Sequence, residues 1–300
     1  MPRIVAALLV IAAGFCAPAS AQEKMPVIAT FSILGDLVKN VGGDRVEVTT
    51  LVGANADSHV YAPTPADAKK VAAAKVVFIN GLGFEGWTTR LAKASGTKAP
   101  IITVSRGIQM RKMEEAGHGH GHSHQATDPH AWQSVANARI YVGNIRDGLI
   151  AADPAGKSAY EANASAYLAR LDALETEMKA AIAKIPPERR RIITSHESFG
   201  YFGAAYGIAF IAPTGVSTEA AVSAKDVARI IVQVRKQKIP AVFMENVADP
   251  RMMEQIAKES GAKIGGRLFS DALSDEKGPA PGYIEMMRHN VQQLAAALTS

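Results

Sequence analysis

The chain has almost no sulfur chemistry available to it. Among its 300 residues there is one cysteine, Cys16, and it lies in the N-terminal leader. Once that leader is lost no thiol remains, which excludes disulfides and cysteine-based zinc sites. Any metal then has to be held by His, Asp or Glu. Long apolar runs are missing too. Residues 4–15 form an apolar stretch behind the basic Arg3, too short to span a bilayer as a helix, and no later stretch is long enough. With Ala19-Ser20-Ala21 as an A-x-A site, residues 1–21 read as a signal peptide cut after Ala21. Phe15 is too bulky for the small residue that lipoprotein processing wants before Cys16. The expected product is soluble and periplasmic, because an unanchored scavenger stays near the cell only inside an outer membrane. Runs of one charge sign are scarce as well. Removing Arg3 from the 33 basic side chains leaves 32 against 28 acidic ones. The one basic cluster, Arg189-Arg190-Arg191, follows a helix end and reads as a solvated turn, so no nucleic-acid partner is expected.

What is present is a globular composition, 48% hydrophobic and 20% charged, enough for one large or two ordinary domains. The strongest helix signal covers 153–185. Asp153 reads as an N-cap and Pro154 as the first helical residue. Tyr160, Ala164, Tyr167, Leu168, Leu171, Leu174, Met178, Ile182 and Ile185 recur at steps of three and four, forming one stripe, and Pro186-Pro187 stops it. A rod of that length, about 48 Å, fits a spine between two lobes. One long helix within a single domain and a coiled-coil segment are the alternatives.

On both sides of the rod, short apolar strands alternate with helices. Residues 76–79 form a fully apolar run of the kind buried in parallel sheets. The predicted fold is α/β, with two lobes that each carry a mostly parallel sheet flanked by helices. The predicted organisation is a signal peptide at 1–21, an N-terminal lobe at 22–152, the spine at 153–186 and a C-terminal lobe at 187–300.

Three histidines sit where strand-end loops meet helix starts: His59, His130 and His196. Asp271 holds the corresponding place late in the chain. Ligands of parallel sheets bind beyond the carboxyl ends of strands, so these four can share one crevice, two from each lobe. A single loop histidine is ordinarily a surface or capping residue; four at equivalent strand ends argue for a site. Three imidazoles and a carboxylate suit Zn²⁺ and leave no position for a catalytic water. Asp128, Glu197 and Glu245 are candidates to accept the second N–H of a ligating imidazole, with capping or surface roles as alternatives. His289, Met286 and Met287 read as structural.

The segment from Gly53-Ala54-Asn55-Ala56-Asp57-Ser58-His59-Val60-Tyr61 to Pro63-Thr64-Pro65-Ala66-Asp67 is the first of four ordered motifs. Asp128-Pro129-His130-Ala131-Trp132, Thr194-Ser195-His196-Glu197-Ser198-Phe199-Gly200-Tyr201-Phe202 and Phe269-Ser270-Asp271-Ala272-Leu273-Ser274 follow. Together they resemble the zinc/manganese-type periplasmic solute-binding proteins of metal ABC importers. The resemblance implies two α/β lobes bridged by a rigid helix, His59, His130, His196 and Asp271 as ligands, and delivery of cargo to a membrane permease. It further implies a protein that is no enzyme and works as a monomer. The manganese branch tends to carry Glu at the third ligand position, where this chain has His196, and imidazole favours zinc over the harder Mn²⁺. Zinc is therefore the expected cargo, with manganese or iron as the alternative.

A tract at 117–125 alternates glycine and serine with His118, His120, His122 and His124. Its composition is that of a metal-collecting loop or a plain solvent-exposed linker. Such a tract resembles those of zinc receptors loaded by a periplasmic metallochaperone. An exported zinc hydrolase is the competing reading from another class, but no His-Glu-x-x-His helix or general base in a matching motif supports it. Since imidazoles bind metal only when neutral, affinity is expected to fall below about pH 6.5.

Overall fold

The computed structural model describes residues 23–112, 127–218 and 222–299; the predicted signal peptide, Cys16 and the histidine tract at 117–125 lie outside them. The first sheet holds β1 (Met25–Phe31), β2 (Val46–Val52), β3 (Val76–Ile79) and β4 (Ile101–Thr103), all parallel, in the order β2-β1-β3-β4. Around it lie α1 (Ser32–Gly42), α2 (Pro65–Ala73), α3 (Thr88–Ser95) and α4 (Val135–Ala152). After α5 (Lys157–Ala183) the pattern repeats. The strands β5 (Arg191–Ile193), β6 (Ala209–Ile211), β7 (Ala241–Glu245) and β8 (Lys263–Leu268) form a second parallel sheet in the order β6-β5-β7-β8. Its helices are α6 (Gly200–Tyr206), α7 (Ala224–Gln237), α8 (Arg251–Ser260) and α9 (Tyr283–Thr299). Both sheets thus have the same strand order, and the two-lobe α/β reading holds.

Local chemistry explains the starts. Thr64 accepts the Asp67 N–H while the Asp67 carboxylate accepts the Thr64 N–H, a reciprocal cap that sets α2 behind the loop bearing His59. Ser223 caps α7 through the Asp226 N–H. The predicted start of the spine needs correction. Residues Pro154–Gly156 make a 3-10 turn before the α-helix begins at Lys157. The Asp153 carboxylate is taken by Arg45 at 2.7 Å and by the Tyr160 hydroxyl at 2.8 Å, so it ties the spine to the end of α1.

The 27-residue α5 is about 40 Å long. Its stripe is buried as expected: Tyr160, Ala164, Tyr167, Leu171, Leu174, Met178 and Ile182 all face inward. They pack on α1, α4 and α9. Because α9 also packs on β8, the last helix of the chain secures the second sheet to the spine. One large core runs from the first sheet through α5 to Phe202, Phe243, Leu268 and α9. A smaller one, with Ile193, Ile230, Val234, Val242, Met253 and Ile256, fills the outer face of the second lobe. Among the described residues no helix is long and apolar enough to cross a membrane.

Candidate metal centre

Four loops leaving strand ends meet between the two sheets. His59 lies in the loop after β2, its N–H donating to Asp57 Oδ1 at 2.8 Å. His130 follows the long connection from β4 and opens the turn into α4. His196 comes three residues after β5 ends, and Asp271 three after β8 ends. One ligand-type atom from each of His59, His130, His196 and Asp271 lies within 4.8 Å of the others. The last three are fully buried and His59 is half-buried.

His59 Nε2 is 3.3 Å from His130 Nε2 and 3.3 Å from Asp271 Oδ2. His196 Nε2 is 3.1 Å from Asp271 Oδ2, and His130 Nε2 is 3.5 Å from Asp271 Oδ1. A tetrahedron with metal–ligand bonds of about 2.05 Å has edges of about 3.3 Å. The spacing of these donors therefore fits a single small ion. Asp271 Oδ1 is buried without a hydrogen-bond partner. Left so it would be costly, but it is well placed as a cation donor.

Two carboxylates stand behind the imidazoles. Asp128 Oδ1 is 2.9 Å from His130 Nδ1 and also accepts the His130 N–H at 3.0 Å. Glu245, the last residue of β7, puts Oε2 2.7 Å from His196 Nδ1, an ion-pair contact outside good hydrogen-bond alignment. Its Oε1 accepts the N–H groups of Ser195 and His196 at 2.7 and 3.0 Å. Both arrangements turn Nε2 of the ring toward the cluster. Glu197, the third candidate, is outside the cluster and lines a separate cleft with Arg111, Lys112 and Phe199.

The electrostatics concentrate on the second lobe. Burial opposes a charge on His196, yet Glu245 and Asp271 overcome it and raise the imidazole well above its ordinary range. Burial alone would push Asp271 up, but His196 and His130 hold it well below the usual carboxylate range. Glu245 is likewise held low by His196 against the effect of burial.

The remaining sequence expectations fall out simply. His289 reaches the Arg267 carbonyl with Nε2 at 3.0 Å, and Met286 and Met287 are core residues. His118, His120, His122 and His124 lie outside the described residues. Sequence reasoning missed the aromatic wall on the first-lobe side. Phe84 sets its ring edge-on to His59 at 4.9 Å and to His130 at 5.9 Å, and packs on Trp132 at 4.7 Å.

Residues 27–297 match the family described as Zinc-uptake complex component A periplasmic. The manganese ABC transporter substrate-binding lipoprotein PsaA of Streptococcus pneumoniae is 33% identical over 285 residues, 93% of this chain and 90% of that protein. The iron-binding protein YfeA of Yersinia pestis is 34% identical over 278 residues, 93% and 88% of the two chains. Among solved structures, the periplasmic zinc binding protein TroA from Treponema pallidum superposes with a TM-score of 0.86 at 29% identity, covering 93% of this chain and all of that one. With its fold, its four-donor cluster and these matches, the chain belongs to the family of metal-binding substrate-binding proteins of ABC importers, which work with a membrane permease and are not enzymes.

Proposed function

We propose that His59, His130, His196 and Asp271 together hold one divalent transition-metal ion, captured outside the cytoplasmic membrane for the importer's permease. The observation that carries this reading is the convergence of three Nε2 atoms and a carboxylate within 4.8 Å of one another, drawn equally from two lobes. An ion seated there neutralises the carboxylate and joins the lobes.

The names of relatives speak for manganese or iron more than for zinc. The donor set speaks for zinc, because three imidazoles to one carboxylate is a soft, nitrogen-rich set, and the distances are those of tetrahedral edges. Zinc is our first reading of the cargo. Manganese is the second, and a specific atom favours it. Asp271 Oδ1, buried and unpartnered beside His130, can supply an added oxygen to a harder ion that wants more ligands. Elemental analysis of protein purified without added metal, followed by competition titrations with zinc, manganese and ferrous iron, separates them. Zinc outranks the other two at most nitrogen and oxygen sites, so the metal carried by the protein as isolated decides: bound zinc supports the first reading, and bound manganese, or manganese held against zinc, establishes the second.

The four-histidine tract at 117–125 would collect zinc weakly and pass it on, with a periplasmic metallochaperone as a further donor. Its deletion should leave tight binding intact and slow loading from dilute zinc. Export would follow cleavage after Ala21. Since relatives such as PsaA are named lipoproteins, an intact mass of the exported protein is the check: a start at Gln22 supports the soluble form, and a lipid on Cys16 replaces it.

A further inference from the structure

Beyond β3 the chain makes a tight turn whose backbone is unusual. Gly81, Leu82 and Gly83 have φ of 82°, 57° and 83°, three successive left-handed residues with a leucine in the middle. Such strain in a non-glycine residue persists only where the surroundings over-determine it, and it clusters at functional sites. The surroundings here are a buried polar network. Glu85 Oε1 accepts the Asn80 N–H and the Thr30 hydroxyl, both at 2.6 Å, and its Oε2 accepts the Gly81 N–H at 3.1 Å. The Asn80 side chain donates to the carbonyls of Gly81 and Pro129 at 3.0 and 2.9 Å, and the Asn80 carbonyl accepts the Ser105 hydroxyl. None of these groups belongs to the donor cluster. What they fix is the placement of Phe84, 2% exposed, against the rings of His59 and His130 at the wall of a cavity. That cavity, about 700 Å³, is lined by His59, Leu82, Phe84, Trp87, Thr127 and Val216.

We propose that Phe84 sets the coordination number of the bound ion: its ring packs against both His59 and His130 at the wall His59 shares with this cavity, where the His59 side chain is only 6% exposed, and so keeps water from joining the four protein ligands from that side. The inference rests on the ligand assignment above and deepens it. The wall disfavours any ion that needs more than four ligands, so Phe84 is a specificity-determining residue that acts without coordinating. Manganese, which seeks six mainly oxygen ligands, is penalised, whereas zinc is satisfied with four.

Cobalt(II) reports this directly, since four-coordinate cobalt absorbs strongly in the visible and six-coordinate cobalt weakly. With one equivalent of cobalt, the wild-type chain should show the strong bands, and Phe84→Ala should show weakened, shifted ones. The zinc-over-manganese affinity ratio should fall about tenfold or more in the variant, the size of effect seen when groups around a metal site are removed. Phe84→Val, a milder truncation, should move both readouts the same way if the alanine variant does not fold. Unchanged cobalt bands and an unchanged metal ratio in a folded truncation would overturn the proposal, as would six-coordinate cobalt in the wild type. A wild type that takes up no cobalt at all would instead contradict the ligand assignment.

Discussion

The two lobes share a strand order but give the site different things. The first supplies two imidazoles, from the loop after β2 and the connection after β4, set against Phe84, Trp132 and Phe31. The second supplies the carboxylate among the four donors, Asp271, and a second one, Glu245, with His196 held between them, while the first adds only Asp128 behind His130. The equivalent strand ends make the contrast sharp. Each lobe buries a glutamate beyond or at the end of its third strand, Glu85 and Glu245, and each accepts two backbone N–H groups. In the second lobe the spare carboxylate oxygen reaches a ligand; in the first it reaches Gly81 and serves an aromatic wall. One lobe thus shapes the cavity, and the other supplies the attraction that closes it, with Asp271 Oδ2 lying 3.3 Å from His59 of the opposite lobe.

The largest effect should come from the charged side. Asp271→Asn is expected to weaken zinc binding on the order of 1,000-fold, about 4 kcal/mol, since it removes the only anionic donor. His59→Asn should cost less in the same titration. Equal losses would erase the division of labour. Core substitutions come next. Leu174→Ala on the spine and Ile256→Ala in the smaller core should each destabilise by about 2–5 kcal/mol in denaturant unfolding. The spine variant belongs at the upper end, because its site is enclosed on several sides by α1, α4 and α9.

Smaller again are the groups behind the ligands. Glu245→Gln should lower zinc affinity about 100-fold and Asp128→Asn about tenfold, because each holds the ring and backbone of one imidazole but Glu245 also accepts the Ser195 N–H and the Ser198 hydroxyl, fixing the whole His196 loop. The reverse order would mean that the first lobe carries the electrostatics. The mildest test is pH. His196 is raised well above 6.5 by Glu245 and Asp271 despite burial, so without metal it holds its proton at neutral pH. A binding ion displaces that proton, and lowering the pH favours the protonated, metal-free form. Affinity should therefore start to fall above about pH 6.5, earlier than unperturbed imidazoles imply, with about one proton released per ion at neutral pH. Calorimetry in two buffers of different ionisation enthalpy measures that proton.

Much of this was legible beforehand. The strand at 76–79 announced itself by an apolar run too short for a helix, and the spine by its stripe. The convergence of the four proposed ligands was legible because a parallel sheet sends its functional loops to one end, and each of the four follows a recognisable strand. Their supporting groups were not. Glu197 and Glu245 looked equivalent, with Glu197 even adjacent to His196, yet the carboxylate that holds the ring arrives from the neighbouring strand, 49 residues away. Sheet pairing, which no local pattern encodes, decides between them. Phe84 was invisible for a related reason: between Gly83 and Glu85 it reads as part of a turn, and its aim depends on hydrogen bonds to residues 30, 105 and 129. The Gly-Leu-Gly sequence before it was the one local sign of a left-handed backbone. Asp153 misled in the opposite direction, since Arg45, more than a hundred residues earlier, claims the carboxylate that a local reading gives to the helix.

The most direct test of the central claim is zinc X-ray absorption on the chain lacking residues 117–125, loaded with one equivalent of metal. The account predicts one zinc per chain with three imidazole nitrogens and one carboxylate oxygen at about 2.0–2.1 Å. Loss of tight zinc on removing the tract, or a zinc with fewer than three imidazoles around it, would contradict it.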